Sequence, residues 1–408
     1  MPLATGKHYD HLTKAADWLA VAVAASLPWS TSATAILVVA WLAVVIPTLE
    51  WTGLRRDLLT PAGGLPVLLV LLGVLGTLWA DVTWLERWKG LDSFCKLLVI
   101  PLLLFHFRRS ERGTCVFIGY LVACLLLMLL SWTFFLFPAT TFMFTRDVAV
   151  PVKNAATQSG EFVTCIFGLL YLAIIAFEQR RWLWMAGLVA VALGFLGNIL
   201  YVATGRTALV IILVLLALLA LRTLSAKGVA ILAVAALAVG SLGWMSSPHL
   251  RDRTTQLWTD YEKYEVRDEK NSSGERLEFY KKSVAFISEA PLFGHGTGTI
   301  PALFAKAVIG EKGSAASLSS NPHNQTFAVA IQIGLLGALV LWAMWIAHLL
   351  LFRSAGQAEW IGLVVVVQNI VGSLFNSHLF DFGQGWIYVF GVGVAGGMAL
   401  KNRAARVP

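Results

Sequence analysis

The sequence predicts an all-α polytopic membrane protein of about twelve transmembrane helices, with a large loop between the ninth and the tenth. Apolar residues make up 58% of the 408 residues and charged residues only 13%, which is too little charge for the surface of a soluble domain of this length. The apolar residues form runs of about 17–23 residues, which match a bilayer core of roughly 30 Å. One polar stretch, residues 247–322, interrupts the runs.

Twelve apolar runs are interpreted as spans. The first is the least regular, because Lys7 and Lys14 precede a short run ending Ala24-Ala25-Ser26 that also fits a signal peptide. Counting that run as a span divides the chain into spans one to nine, a long loop, and spans ten to twelve with a cytoplasmic tail, at residues 1–246, 247–322 and 323–408. The runs are residues 15–29, 32–49, 63–80, 91–107, 115–137, 159–177, 182–202, 206–222, 227–246, 323–351, 357–375 and 384–400.

Basic residues set the predicted orientation. They occupy every second connection between spans, and such residues mark the cytoplasmic side of a membrane protein. Both termini are therefore predicted to be cytoplasmic and the long loop to lie outside. The residues that define this pattern are Arg55, Arg56, Arg108, Arg109, Arg112, Arg180, Arg181, Arg222, Lys227, Arg353, Lys401, Arg403 and Arg406.

The net charge of +8 is mostly a consequence of this topology. The basic residues are dispersed over cytoplasmic loops and form no patch with base-stacking aromatic residues, which argues against a nucleic-acid partner. The four cysteines lie in apolar segments without a CxxC pair, so the sequence predicts neither a disulfide framework nor a zinc site.

A second group of basic residues lies on the predicted outer side, against the usual orientation bias, where an anion would stabilise them. Contact with lipid headgroups is the alternative for Arg87 and Lys89, which neighbour tryptophans. An i,i+4 pair with Asp92 is the alternative for Lys96. Apart from the long loop, the group consists of Arg87, Lys89, Lys96, Arg146, Lys153 and Arg206.

Two places in this group favour an anion. Arg206 follows Gly205 in a break of only a few residues, so it is predicted to begin a helix, where free N–H groups and the helix dipole attract phosphate. A turn arginine that meets lipid phosphate is the alternative. Arg146 and Lys153 lie in the outer connection 138–158, which carries a net positive charge, and at least one of them is a candidate for substrate contact.

The long loop is predicted to contain two amphipathic helices, over residues 251–270 and 275–287. Arg276 lies in the first turn of the second helix, where a cation is unfavourable unless it shares an anion. The run from Gly294 to Thr299 holds three glycines that let backbone N–H groups approach an anion, although a plain turn is equally compatible.

His323 is predicted to open the tenth span, with Asn321 as its N-cap and Pro322 at the first helical position. An ordinary histidine titrates near pH 6.5, in the useful range for a general base. The alternative is a polar residue that only marks the start of a helix at the membrane interface.

Short motifs in a fixed order complete the pattern. They are Thr204-Gly205-Arg206, Gly274-Glu275-Arg276, Gly294-His-Gly-Thr-Gly298 and His323-Asn324, followed by Ile333-Gly-Leu-Leu-Gly337. Their order and spacing resemble the O-antigen ligase/polymerase superfamily, and the twelve-span layout resembles the lipopolysaccharide O-antigen ligases of Gram-negative bacteria. The motifs cover about residues 200–340, and the topology covers the whole chain.

The resemblance implies an inner-membrane glycosyltransferase of the GT-C type. Such an enzyme moves a glycan from undecaprenyl diphosphate to a lipid A–core sugar on the periplasmic face, without a metal, and we expect no other cofactor. His323 matches the essential histidine of the family, and Arg206 and Arg276 match its paired arginines. The first outer loop, residues 28–32, has no carboxylate, in agreement with metal independence.

The implied mechanism is an inverting displacement in which His323 is the general base and Arg206 and Arg276 hold the diphosphate. Arg146 and Lys153 fall where family members also carry basic residues, and they are predicted to contact the diphosphate. Weaker substrate contacts are predicted for Gly296, Gly298, Asn324, Arg87 and Lys89.

Three other functions remain open. An O-antigen polymerase and a protein O-oligosaccharyltransferase use the same donor, so the arginines do not separate them from a ligase. A transporter of lipid-linked glycans would need ionisable residues near the bilayer midplane and internal repeats. His106 and His348 are the best evidence for transport, but no clear repeat occurs.

Overall fold

The computed structural model describes residues 6–138, 149–267 and 270–405, and all of their regular secondary structure is helical. Short 3₁₀ turns at Ile46–Thr48, Lys96–Leu98 and Gly313–Ala316 extend or join the α-helices. The α-helices are α1 Lys7–Ser26, α2 Thr31–Val45, α3 Trp51–Leu58, α4 Pro61–Gly76, α5 Trp84–Cys95, α6 Val99–Phe107, α7 Gly113–Leu136, α8 Ala155–Glu178, α9 Trp182–Tyr201, α10 Arg206–Thr223, α11 Ala226–Ser246, α12 Pro248–Arg267, α13 Ser272–Glu289, α14 Ile300–Ala307, α15 Gln325–Leu351, α16 Gln357–Gly372 and α17 Phe382–Ala404.

Eight helical stretches of the described chain are long and apolar enough to cross a membrane. Helices α3 and α4, bent by 82° at their junction, add a ninth if they count as one span. Each of the twelve predicted runs falls on a helix, but α1, α16 and α17 are not among the eight stretches. The architecture is that of a polytopic membrane protein, and the count of twelve spans stays a prediction.

Helix α17 shows how a less apolar helix is accommodated in the bundle. Its glycines let α6 approach closely: a Cβ atom at Gly393 would lie 2.4 Å from Leu103, and one at Gly397 would lie 2.7 Å from Phe107. Small residues at such contacts let helix backbones pack tightly within a membrane. Because neighbouring helices bury most of α17, little of its surface faces lipid, and it can be less apolar than a lipid-facing helix.

Helix α15 is broken one third of the way along. Ile333 and Gly334 leave helical geometry, and Gly334 has a φ of 70°. The break frees two carbonyl groups, and the loop that follows α13 uses them: the N–H of His295 donates to Ile331 at 2.8 Å and that of Gly296 to Gln332 at 2.9 Å. The kink therefore has an identifiable cause, an inserted segment that satisfies the interrupted hydrogen bonds.

The segment between α11 and α15 packs on this broken helix through its second and third helices. It forms α12 and α13, over the two stretches where amphipathic helices are predicted, and a third helix, α14, that the sequence pattern does not show. A cluster of buried apolar side chains joins α13 and α14 to α15 and so fixes the position of α13 relative to the start of α15. Its buried members are Phe279, Phe286, Ile300, Phe304, Ala328 and Ile331.

We predict that Gly334→Ala destabilises the protein by about 1–3 kcal/mol, because the residue keeps a left-handed backbone. The added Cβ would also meet the Leu292 carbonyl at 2.0 Å. The matched control is Gly240→Ala in α11, where a Cβ meets nothing within 4 Å and helix propensity favours alanine. Unfolding of the detergent-purified variants measures both. Equal stability of Gly334→Ala and wild type would contradict the proposed docking of the loop.

Candidate functional site

His323 lies two residues before α15, in a turn made by its neighbour. The side-chain oxygen of Asn321 accepts the N–H of His323 at 2.8 Å, and His323 has a φ of 54°. This local bond is an Asx-turn, in which a side chain bonds the backbone two residues further on. Asn324, whose oxygen accepts the N–H of Phe327 at 3.1 Å, is the N-cap of α15. The expectation that Asn321 caps the helix and that Pro322 begins it is therefore wrong.

Contacts to both the ring and the backbone hold His323 in place. Its ring stacks on Phe279 of α13, with centroids 5.7 Å apart, and its Nδ1 lies 3.0 Å from Oδ1 of Asn376. The hydroxyl of Tyr280 lies 3.1 Å from the His323 carbonyl and 2.6 Å from the Leu374 carbonyl, within hydrogen-bond distance of both. Among the described residues none makes a hydrogen bond to Nε2. This atom is also not one of the fully buried side-chain nitrogen and oxygen atoms that lack a partner. The ring therefore presents one nitrogen to the space around the site.

The electrostatic surroundings keep His323 neutral. Burial is the largest effect that lowers its pKa below the ordinary 6.5, and the positive charge of Arg276 is the second. The hydrogen bond between Nδ1 and the Asn376 oxygen and the charge of Glu275 act in the opposite direction without reversing the shift. A histidine with a lowered pKa is uncharged at neutral pH and can accept a proton.

Arg276 is an exposed cation one turn before Tyr280 on α13. The start of α13 is already capped by the Asn271 side chain, and Glu275 accepts from the Ser317 hydroxyl at 2.7 Å. No hydrogen bond or ion pair joins Arg276 to another residue of the described chain, yet its charge lowers the pKa of His323. The guanidinium is therefore available to an anionic ligand beside the histidine.

Arg206 begins α10, as predicted, and Gly205 precedes it as the N-cap. A Cβ atom at Gly205 would lie 2.2 Å from the hydroxyl of Ser159, so this helix start packs on the first turns of α8. A Cβ atom at Gly383, two residues after Asp381, would lie 3.4 Å from Thr157 of α8. The start of α10 and the start of α17, which directly follows the loop that contacts His323, thus pack on the same end of α8.

Lys153 has a structural partner. Its ammonium donates to Glu161 at 2.9 Å and to the carbonyl of Leu27, and its side chain is largely buried. Glu161 is 1% exposed, so the lysine neutralises a carboxylate that would otherwise be buried without a countercharge. The structure gives Lys153 this contact, and its predicted role in diphosphate binding stays a prediction. Arg146 lies outside the described residues.

The remaining outer cations differ in their surroundings. Arg87 donates to the carbonyls of Thr77 at 2.9 Å and Val82 at 3.1 Å, and its guanidinium lies 4.5 Å from the ring of Trp84. These contacts use Arg87 to join the end of α4 to α5. Lys89 is exposed.

The glycine loop, residues 294–298, packs closely against the broken part of α15 and against the segment that follows α4. Gly296 donates its N–H to the Gln332 carbonyl, and Gly298 donates to the Gln332 side chain at 2.8 Å. Both glycines have positive φ, and a Cβ atom at Gly296 would lie 2.4 Å from Ala80. The close approach that the sequence predicts is therefore made to the protein backbone, and these two N–H groups are already used. Asn324, predicted to contact substrate, caps α15.

A cavity of about 340 Å³ lies between α5, the start of α14, the start of α15 and the α16–α17 loop. Lys89, Gly298, Asn321, Ser377 and Asp381 are among its lining residues. Its volume lies in the range of small-molecule pockets. Because Asn321 also bonds the backbone of His323, the cavity and the histidine share a wall.

Sequence reasoning missed the residues of the α16–α17 loop. Asn376 and Asp381 lie in a polar break between two apolar runs, and neither belongs to a short motif that contains His323. Their partner lies more than fifty positions earlier in the chain, so no local pattern connects them. The polar composition of that short loop was the only available signal.

One family model matches part of this chain. Residues 193–342 match the family described as O-Antigen ligase. This region belongs to the O-antigen ligase superfamily. The match contains Arg206, Arg276, the glycine loop and His323, and it confirms the resemblance that the motifs indicate. A search of curated proteins found no match. For a membrane protein, membership of this superfamily implies the bilayer and a lipid-linked glycan as partners.

Among the described residues, no group of three or more histidine, cysteine, aspartate or glutamate side chains is arranged to hold a metal ion. The chemistry-bearing groups that the O-antigen ligase region gathers here are the imidazole of His323 and the guanidinium of Arg276.

We predict that Lys153→Met lowers stability by about 3–5 kcal/mol, because it leaves the buried Glu161 carboxylate without its partner. Adding Glu161→Gln removes that charge and restores most of the loss. The matched control is Lys89→Met, an exposed lysine whose replacement changes stability by about 0.5 kcal/mol at most. Unfolding in detergent measures all variants. If Lys153→Met is as stable to unfolding as wild type, the ion pair of Lys153 and Glu161 does not contribute to stability.

Proposed function

We propose that this protein is a membrane glycosyltransferase that moves an O-antigen glycan from undecaprenyl diphosphate to a sugar hydroxyl of lipid A–core. One observation carries the proposal: a neutral histidine stands beside an arginine inside the O-antigen ligase region, and neither Nε2 of the histidine nor the guanidinium bonds another of the described residues. The family match supports the donor class, and the histidine supports transfer to a hydroxyl.

The proposed reaction is a single displacement at the anomeric carbon of the first sugar. The acceptor hydroxyl oxygen bonds to that carbon, the bond from the carbon to the diphosphate oxygen breaks, and Nε2 of His323 takes the hydroxyl proton. The leaving diphosphate takes the electron pair. Arg276 and Arg206 stabilise it, because a guanidinium bonds two phosphate oxygens at once and stabilises developing charge in place. No step in this scheme uses a metal ion.

The proposed setting follows from the distribution of basic residues. Arginine-rich connections face the cytoplasm, both termini lie there, and α12–α14 with His323 face the periplasm. The donor's prenyl chain then stays in the inner membrane while its diphosphate reaches Arg276. Arg146, which precedes α8 in the chain, is a further candidate for the diphosphate.

The acceptor decides between the proposed ligase and the related polymerase or protein O-oligosaccharyltransferase. The donor-binding arginines and the histidine serve all three reactions equally. Lipid A–core is our proposal because the resemblance is to the ligases, and a growing glycan or a protein would be used in the other two cases.

The alternative of a transporter has less support than a glycosyltransferase, because the two histidines that suggest it have protein partners. Nδ1 of His348 lies 2.5 Å from the Tyr388 hydroxyl and its Nε2 lies 2.9 Å from the Ala62 carbonyl, so both nitrogens have partners. Nε2 of His106 lies 2.8 Å from the carboxylate of Asp17. These contacts join each histidine to residues of neighbouring helices, which is a structural role.

We predict that the purified protein, with undecaprenyl-diphosphate-linked glycan, lipid A–core and a chelator, forms a glycan–lipid A–core product. His323→Ala should lower the rate about 10²–10⁴-fold, the usual contribution of general base catalysis. Arg276→Ala should lower it about 10²-fold or more, by loss of charge stabilisation.

The matched control is Lys281→Ala, which removes an exposed cation from the same helix; its ion pair with Glu278 contributes little to stability. Wild-type rates in His323→Ala or Arg276→Ala would overturn their assigned roles. Product formed only with a glycan or protein acceptor would replace the ligase by one of its relatives.

We predict that the transfer rate at limiting donor falls on the acid side with a midpoint below pH 6.5. The pKa of His323 lies below that value, and protonation at lower pH removes the base. Arg276→Gln should move the midpoint upward, since it removes a positive charge that disfavours the imidazolium. Rates of the wild type and of Arg276→Gln measured between pH 4.5 and 8 test this, with Lys281→Ala as the control. An unchanged midpoint in Arg276→Gln would contradict the assignment.

A further inference from the structure

The amide of Asn376 connects His323 to a carboxylate. Its Oδ1 lies 3.0 Å from Nδ1 of His323, and its Nδ2 donates to Asp381 at 2.6 Å. The same Oδ1 accepts the side-chain N–H of Asn321 at 2.8 Å. Asn376 therefore meets the imidazole with one end of its amide and Asp381 with the other.

The partners of Asn376 determine which way its amide points. An ionised carboxylate only accepts hydrogen bonds, so the amide nitrogen has to face Asp381 and the amide oxygen has to face His323. Burial raises the pKa of Asp381 to about 6, and the carboxylate is therefore still mostly ionised at neutral pH. Because an amide oxygen has no proton to give, Nδ1 of His323 must carry the proton in this bond.

The loop that carries Asn376 and Asp381 is fixed by two buried side chains from other helices. The side-chain oxygen of Gln325 accepts the N–H groups of Leu379 at 3.0 Å and Phe380 at 3.2 Å. The ammonium of Lys96 donates to the carbonyl of Phe380 at 3.0 Å and to that of Asp381 at 2.9 Å. These bonds hold the carboxylate against the amide, so the amide is not free to turn.

We propose that Asn376 is a positioning residue that holds His323 in the tautomer protonated on Nδ1, and that Asp381 fixes the Asn376 amide in the orientation this requires. The inference rests on the proposed function of His323 as the base. It adds the reason why Nε2 has a lone pair to offer: the two ring nitrogens of a neutral histidine share one proton, and the bond at one nitrogen decides the state of the other. A reversed amide would present N–H to Nδ1 and leave Nε2 protonated, a form that cannot accept the acceptor's proton.

Single substitutions on each side of the amide test this assignment in the full-length purified protein with wild-type donor and acceptor. Asn376→Leu removes both ends of the amide, and Asp381→Ala releases it to turn. Each should lower kcat about 100-fold or more, the smaller end of the contribution of a general base. The KM for the donor should stay within about twofold, because Arg206 and Arg276 are untouched.

The matched control on the same loop is Leu374→Ala, whose side chain is 45% exposed and bonds nothing. It should keep wild-type kcat and KM. The unfolding temperature of every variant identifies those that lose activity through loss of folding. A folded Asn376→Leu or Asp381→Ala with wild-type kcat would overturn the inference while the transfer activity of the wild type stands.

A double substitution separates positioning from scaffolding. Asn376→Asp with Asp381→Asn exchanges amide and carboxylate. The new carboxylate at position 376 still accepts from Nδ1 of His323, and the new amide at position 381 donates to that carboxylate. This variant should recover at least tenfold of the kcat lost in Asn376→Leu. An exchange that recovers no activity in a folded protein would contradict the inference.

The exchange also has a signature in the pH profile. It brings the carboxylate into direct contact with the ring, which raises the pKa of His323 and should move the acid midpoint of the rate upward. The other charged groups that act on the ring, Arg276 and Glu275 on α13, are unchanged, and so is Lys96 beside residue 381. A recovered rate with an unmoved midpoint would show that Asn376 is only a scaffold. A protein that transfers no glycan in any form, wild type included, would instead refute the proposed function.

Discussion

The break in α15 is the constraint on which the candidate site depends. A continuous helix would have no free carbonyl groups at Ile331 and Gln332, and the loop after α13 would have nothing to dock on. Positive φ at Gly334, Gly296 and Gly298 lets two backbones approach to a distance that no side chain permits. The docked loop brings α13 down beside the start of α15, and α13 carries the groups that face His323.

Packing and charge then act together at that junction. Phe279 stacks on the imidazole and Tyr280 bonds its backbone, so α13 holds the histidine and at the same time brings Arg276 close to it. The cation lowers the pKa of the histidine and remains available to an anion. One helix thus supplies both conditions of the proposed reaction, a neutral base and a partner for the leaving diphosphate. The Nδ1 edge of the ring is held by Asn376 of the α16–α17 loop.

The sequence predicted much of this arrangement because its signals are local. A bilayer of fixed thickness sets the length of apolar runs, so every predicted run falls on a helix, and the glycine before Arg206 marks the start of α10. The break at Ile333 lies inside an uninterrupted apolar run, and its cause is a loop about forty residues earlier, so helix periodicity does not reveal it. Asn376 could not be predicted for the same reason. The pairing of the Lys153 ammonium with Glu161 and with the Leu27 carbonyl depends on how α1 and α8 pack, so the local sequence does not reveal it.

The proposed reaction is a single displacement at the anomeric carbon with His323 as the base. The most direct measurement is the anomeric configuration of the new glycosidic bond, determined by NMR on product made from a donor whose first sugar is α-linked to the diphosphate. One displacement predicts that the product is β-linked to the acceptor. A product that keeps the α configuration would require two displacements or a different mechanism, and it would contradict the account.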